Sequence, residues 1–387
     1  MLMSHKVQLD PTYRQAAFFR KACGVSRYTW NWAIAECQRV YAETGKHPNL
    51  RLLKKRWNDE KPDWVYESPK DANQQPFSNL QKAFNAAFSR MKNGKQAGFP
   101  KFHKRGVRDS FYLSNDKVKI EEKKLKIPLL GWVRLREALR FEGKLMSVTI
   151  STTAGKWFAA FSIEGNFNLQ RAPKTVVGID LGCKESAVLS TGERFVGPKP
   201  LKKKLKKLKR LSQVVSRRKN GSNRRRKAKR AIAKLHYRIS NIRKDFQHKL
   251  TSKICRENQV VILEDLNVAG MIKNRRLSKA IVDIGFAEIR RQAEYKVKRR
   301  GGYVVLADRF FPSSKTCSNC GCIKDSLALS ERVFRCEHCG AEIDRDLNAA
   351  LNLRTLGLRG IDARGQNMLV KDLVEPRTKP CALVSTN

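Results

Sequence analysis

The spacing of hydrophobic and polar positions changes character twice along the chain, and each change marks a region. In residues 1–105, Lys6-Val7-Gln8-Leu9 alternates as a short strand. Asp10-Pro11 then supplies a cap and first turn for a helix, which Gly24 is expected to end. Trp30, Ala33, Ile34, Cys37 and Tyr41 recur at helical spacing and predict a second helix, and a third covers Phe77 to Met91. A helical domain over 11–97 follows, its aromatics read as core.

Period two takes over from about 107 to 170. VKIEEKKLKIPLL, KLMSVTIS and KWFAAFSIEG alternate, with the turn Thr153-Ala154-Gly155 between the last two. These strands predict a small antiparallel β-barrel or sandwich over 98–172, to which 1–10 could add a strand. GFPKFHKRG (98–106) mixes basic and aromatic residues and reads either as a phosphate-contacting connector or as a solvated loop.

From Pro173 the apolar runs become continuous. KTVVGIDLG and NQVVILEDLNVAGM have the form of strands covered on both faces. AVLS and RFVG extend a sheet, a helix follows from about Val282 to Arg300, and GYVVLAD is a third strand. An α/β multidomain protein results, its α/β domain built from 173–316 and 340–356. Between 199 and 230, 17 of 32 residues are Lys or Arg and none is acidic, a composition that favours disorder. Yet Leu201, Leu205, Leu208, Leu211 and Val215 keep helical spacing, as do Ile232, Leu235, Ile239, Ile242, Phe246, Leu250 and Ile254. The pattern predicts an antiparallel helical hairpin over 199–257 with an apolar seam and cationic outer faces. Beyond 357 a mobile tail is expected.

Charge turns this architecture toward a partner. The 387 residues carry a formal net charge of +46, self-repulsion that a polyanion relieves. No apolar run is long enough to span a bilayer and the N-terminus lacks a signal-peptide pattern, so nucleic acid is the expected partner, with neither membrane nor small-molecule substrate, in the cytosol.

Ten cysteines would suggest disulfides in an exported chain. Here four form two knuckles, Cys317-x-x-Cys320 and Cys336-x-x-Cys339, fifteen residues apart between Cys320 and Cys336. That spacing predicts a zinc ribbon over 317–339, with one structural Zn²⁺ on four sulfurs. Cys322 lies beside the first knuckle at the wrong spacing for a further pair.

Three acids stand where apolar runs end. Asp180 closes VVGID, Glu264 closes VVILE, and Asp346 opens the helix DLNAALNL. Singly, each has a structural alternative: a turn former, an ion pair and a helix cap. Together, converging carboxylates would hold two Mg²⁺ ions and clamp the attacking and leaving oxygens of a phosphodiester.

GIDLG, ILEDLNVAGM and DRDLNAALN resemble the three catalytic segments of RuvC-type nucleases, which have an RNase H-like core. Their order, with VQLDPTYRQAAFFRKACGVSRYTWNWAI, GFPKFHKRG and PSSKTCSNCG, is similar to that of the transposon-associated TnpB family, compact relatives of type V CRISPR effectors. The resemblance covers residues 5 to 355. It implies catalytic, magnesium-binding roles for Asp180, Glu264 and Asp346, with Asp344 as the nearby competitor for the third; Cys183, after GIDLG, is less usual there. It also implies an RNA-guided DNA endonuclease that binds a guide RNA from the transposon end and cuts double-stranded DNA beside a short flanking motif. In the family the helix around Phe77–Met91 faces that motif, and Gln75, Ser78, Asn79 and Lys82 are the candidates for contacting it. The resemblance makes the 1–10/98–172 barrel a wedge domain and 11–97 a recognition domain. The competing readings are a nuclease-inactive guided repressor, an unguided structure-specific nuclease and a transposase.

Overall fold

A computed structural model describes residues 1–167, 170–328 and 330–359. The chain divides into two compact units, Met1–Phe167 and Asn168–Asn387.

In the first unit, β1 (Leu2–Asp10) leads into α1 (Tyr13–Thr44), α2 (Leu50–Glu60) and α3 (Lys70–Lys92). Then come β2 (Ser110–Ser114), β3 (Lys119–Glu121), β4 (Lys124–Ile127), β5 (Gly131–Leu135), β6 (Lys144–Thr153) and β7 (Lys156–Glu164). The strands form one sheet in the order β2-β6-β7-β1-β5-β4-β3. Its two edge strands are consecutive in the chain, joined by residues 115–118 alone, so the sheet must roll up on itself like a barrel. β1 does more than add a strand: it sits between β7 and β5, inside the sheet.

Two helix boundaries differ from expectation. The N-cap of α1 is Thr12, whose hydroxyl accepts the Gln15 amide while the Gln15 side chain takes the Thr12 amide. Gly24 does not end the helix. A glycine inside a helix costs only about 1 kcal/mol, and the buried stripe of Phe19, Ala22, Cys23, Val25, Trp30, Ala33, Ile34 and Cys37 runs straight past it. The stop comes at Gly45, in the left-handed conformation. Helices and sheet, expected as separate domains, share one buried cluster, where Phe19 packs on Phe111 and Trp157. Asp71 of α3 accepts both the amide and the hydroxyl of Ser114 in β2, each at 2.8 Å.

The second unit holds β8 (Val176–Asp180), β9 (Ala187–Leu189), β10 (Arg194–Phe195), α4 (Pro200–Ser216), α5 (Asn223–Glu257), β11 (Val260–Glu264), α6 (Val268–Lys273), α7 (Ser278–Ile284), α8 (Phe286–Arg299) and β12 (Tyr303–Ala307). A short hairpin, β13 (Val333–Arg335) and β14 (Glu342–Asp344), precedes α9 (Arg345–Arg359). The main sheet runs β10-β9-β8-β11-β12, with β8, β11 and β12 parallel. Alternate residues face opposite layers. Val177, Ile179, Val261 and Leu263 pack with residues of α5, α7 and α8, whereas Val260 and Ile262 pack with Leu353 and Leu356 of α9. β8 and β11 are covered on both faces, which explains their unbroken apolar runs.

The helix expected from Val282 to Arg300 is two helices. Gly285 breaks it in a left-handed conformation, where a Cβ would lie 2.4 Å from the Gln247 amide nitrogen. α4 and α5 form the cationic hairpin, although Leu205 is exposed and the contact side of α4 runs through Leu201, Leu208, Leu211 and Val215 instead. Residues 357–359, expected to open the tail, belong instead to α9, with Gly357 against the Ile262 side chain. The remainder of the expected tail, 360–387, lies outside the described residues.

Candidate metal centres and nucleic-acid interface

Strand register builds the first candidate site. Leu263 of β11 pairs with Ile179 of β8, so Glu264 and Asp180 end adjacent parallel strands at the same level. Neighbouring strands lie about 4.8 Å apart. Asp180 shares its side of the sheet with Val176 and Gly178, and Glu264 shares it with Val260 and Ile262. That is the face α9 covers. Gly178 lets the helix lie flush: a Cβ there would meet the Ala350 carbonyl at 2.1 Å and the Arg354 amide at 2.5 Å. Asp346, one turn before Ala350, is thereby brought to the strand-end side, beside Asp180.

Asp180 registers these neighbours electrostatically. Its carboxyl is pushed up to about 8, first by burial, then by the charges of Glu264, Asp346 and Asp344 against the opposing Arg345. The oxygens of Asp180, Glu264 and Asp346 do not all come within 4.8 Å of one another, a spacing the cysteine sulfurs below do meet. Joint ligation of one cation by the three therefore calls on side-chain rotation.

Two other acids nearby are paired with arginines. Asp265, next to Glu264, is held by Arg290 at 2.7 Å and Arg309 at 3.0 Å. Asp344 meets Arg194 at 3.0 Å and caps α9, accepting the amides of Asp346 and Leu347. Burial would raise the Asp344 carboxyl, but the Leu347 amide and Arg194 together hold it below the usual carboxylate range. Asp344, not Asp346, is thus the helix cap. Among the described residues, Asp180, Glu264 and Asp346 have no cationic side chain at ion-pairing distance, in a chain of net charge +46. Glu264 accepts the Ser313 hydroxyl at 2.6 Å.

The second site is the cysteine cluster. Cys317, Cys320, Cys336 and Cys339 place their sulfurs within 4.8 Å of one another. Cys317 and Cys339 are 3.7 Å apart and Cys320 and Cys336 3.5 Å. A tetrahedral zinc with bonds of about 2.3 Å separates its sulfurs by roughly 3.8 Å, so the donor set is compatible with a structural zinc. Each knuckle is a turn closed by a left-handed glycine, Gly321 or Gly340.

Two asparagines that the sequence reading did not single out join the sites. Asn348 donates to the Thr316 carbonyl at 2.7 Å and accepts the Ser318 amide at 2.9 Å; Asn352 donates to the carbonyls of Ser313 and Thr316. Both are buried on α9, the helix of Asp346. The available signal was two amides at i and i+4 in the otherwise apolar LNAALNL that follows Asp346.

The cationic segments of each unit have their own anchors. Asp283, with its side chain only 2% exposed, accepts the amides of Leu201 and Lys202 at the start of α4 and pairs with Arg243 of α5 at 2.9 Å. It fixes the base of the hairpin. In the first unit, GFPKFHKRG is pinned to α1: Trp30 stacks on His103 at 4.3 Å, Trp30 donates to the Lys101 carbonyl, and Asn31 bonds both ways with the His103 backbone. Lys101, Lys104 and Arg105 stay exposed on this fixed backbone. Gln75, Ser78, Asn79 and Lys82 share one face of α3; the last three are exposed, while Gln75 is half-buried and donates to Asn79 at 3.2 Å. No described helix is long and apolar enough to cross a membrane.

Three family descriptions match: "Probable transposase" over residues 161–275, "Cas12f1-like, TNB domain" over 286–353 and "Helix-turn-helix domain" over 1–46. The last stretch contains a strand and one unbroken helix. Among solved structures, the chain is similar to a Cas12f1–sgRNA–target DNA complex determined by cryo-EM, at 16% identity and a TM-score of 0.57, over 89% of this chain and 83% of that one. It also matches the mini-RNA-guided endonuclease Cas_phi3, at 10% identity and a TM-score of 0.50, over 91% and 92%. At these identities the likeness is one of fold. Sequence relatives reach further. "Putative RNA-guided DNA endonuclease InsQ" of Escherichia coli K12 is 32% identical over 92% of both chains. A "Putative RNA-guided DNA endonuclease" of Streptomyces pristinaespiralis is 34% identical over 91% of this chain and 89% of its own. With shorter matches to proteins named TnpB-like, this extent of identity shows that the chain belongs to the TnpB family.

Proposed function

We propose that this protein is an RNA-guided DNA endonuclease that cleaves phosphodiesters at a RuvC-type site formed by Asp180, Glu264 and Asp346. The observation that carries the reading is selective pairing. In a strongly basic chain the neighbouring acids Asp265 and Asp344 are neutralised by arginines, while these three, at the ends of β8 and β11 and the start of α9, have no such partner among the described residues. Uncompensated carboxylates are costly unless a cation is their partner. An all-oxygen donor set suits Mg²⁺, which supplies a more acidic attacking water and charge stabilisation on the scissile phosphate.

The chain's own groups do the rest. Ser313 orients Glu264 through its 2.6 Å hydrogen bond. Asp180, held near 8, gives up its carboxyl proton when cationic charge is placed beside it. The sulfur cluster would hold a structural Zn²⁺, and Asn348 and Asn352 tie the cluster to the helix of Asp346. The cationic hairpin and the pinned 98–106 segment bind nucleic-acid backbone, a contact that weakens steeply with salt. Guiding rests on the relatives' names, and its details on the family resemblance: a transposon-end RNA pairs with the target strand, and α3, through Gln75, Ser78, Asn79 and Lys82, reads the flanking motif.

The test purifies the full chain with RNA expressed from its own locus, sequences that RNA, and adds matching DNA with Mg²⁺. Cleavage dependent on both RNA and Mg²⁺ is expected. Tight binding without cleavage would make the protein a guided repressor, and cleavage of branched DNA by RNA-free protein would make it an unguided nuclease.

A further inference from the structure

We propose that the cysteine cluster takes a second thiophilic divalent cation on Cys320, Cys322 and His338, with the Cys320 sulfur bridging to the cation of the four knuckle cysteines. The ligand atoms of these three residues lie within 4.8 Å of one another, and Cys320 belongs to both sets. Small side-chain rotations bring such a group to metal–ligand distances of about 2.0–2.3 Å.

Backbone geometry holds the three in place. The Cys317 amide donates to the Cys322 carbonyl at 2.8 Å, the Gly321 amide to the Cys317 carbonyl at 2.9 Å, and Thr316 bridges to Ile323. Cys322 is therefore set immediately behind the first knuckle, by the bonds that shape the knuckle itself. In the second knuckle, the Gly340 amide donates to the Cys336 carbonyl at 3.0 Å and the Cys336 amide to the Ala341 carbonyl at 2.9 Å. That turn presents His338 on the exposed side of the cluster. Cys322 also packs with Cys317, Phe334 and Cys336, a place an aliphatic side chain would fill as well. Packing gives no reason for the facing imidazole.

Donor chemistry selects the ligand. Two sulfurs and an imidazole suit Zn²⁺, Co²⁺ or Cd²⁺ and reject Mg²⁺. Four thiolates around one divalent cation leave the cluster anionic, and a further cation relieves that excess. Three protein ligands leave one coordination position open, so this ion exchanges more readily than the four-sulfur one. Loading acts on the knuckle whose Ser318 amide is bonded to Asn348, and so gives thiophilic cations a route to the helix of Asp346.

The inference rests on the four-cysteine site being metallated, and the experiment separates the two. The full chain, as purified, is titrated with Cd²⁺. Total bound metal is counted by native mass spectrometry, and sulfur ligation is read from the thiolate-to-cadmium absorbance. Two sulfur-bound cations per chain are expected, falling to one in Cys322→Ser and in His338→Gln. Cd²⁺ taken up by carboxylates is common to all three proteins and gives no sulfur band. Wild type saturating at one sulfur-bound cation, or both variants retaining two, overturns the second site. No sulfur-bound metal in any protein overturns the four-cysteine reading as well.

Discussion

The cysteine cluster and the carboxylate group are both candidate metal centres, yet they are assembled in opposite ways. The four sulfurs come from two tight turns inside a single short segment, and they already lie within 4.8 Å of one another. The three acids come from strands and a helix separated by about half the chain, and they share an electrostatic neighbourhood without closing on one another. Local turn geometry can finish a site by itself. A site built across a sheet depends on everything that seats the helix against the strands.

The largest effect expected from breaking this contrast is at the acids. Asp180→Ala or Glu264→Ala lowers cleavage by about 10³-fold or more, with RNA and DNA binding unchanged in gel-shift measurements. Asp265→Ala and Asp344→Ala, which remove arginine-paired carboxylates, lose far less. Equal losses from all four would show that pairing does not distinguish the site. Next comes the cluster. Cys336→Ser removes a sulfur from a centre that contributes folding energy directly, so soluble yield and zinc content measured by mass spectrometry both fall. Normal zinc content with full activity would dissolve the ribbon.

A smaller effect tests the link between the two regions. Asn348→Ala and Asn352→Ala leave the sulfurs intact and loosen only the tie to α9, so turnover drops by roughly tenfold while zinc is retained. Loss of zinc together with turnover would instead assign the asparagines to the ribbon's own folding. The smallest effect is in pH. Unfolded, Asp180 titrates near 3.8, and folded near 8, so between those values the folded state holds the extra proton. Stability without divalent ions therefore declines as pH rises from about 4 to about 8. Mg²⁺ should raise the melting temperature more at pH 8.5 than at pH 6, and Asp180→Asn should flatten that difference.

Much of this was legible because it was written locally. The apolar runs of β8 and β11 were readable as doubly covered strands, and the cysteine spacing pointed to a compact four-sulfur cluster. The cationic hairpin was readable from its leucine and isoleucine spacing despite a composition that favours disorder. Other features were not. Gly24 looked like a stop, yet burial of the stripe on either side carries α1 through it. Gly285 falls inside the single helix expected from Val282 to Arg300, yet it divides α7 from α8 in a left-handed conformation beside the Gln247 side chain. The pairing of Asp344 with Arg194 and the roles of Asn348, Asn352 and Ser313 depend on partners many residues away, and pattern reading of one segment cannot supply those.

The sequence by itself determined which elements form, where the basic surface lies, and that sulfur and carboxylate donors stand at element ends. Periodicity, turn chemistry and charge are properties of neighbouring residues, so one chain suffices to read them. Only the tertiary structure decided which acids remain without arginine partners, which face of the sheet they occupy, and how α9 is joined to the cluster. Those outcomes depend on strand register and on helix-to-sheet contact at Gly178, where atoms distant in the chain compete for the same space and the same charges.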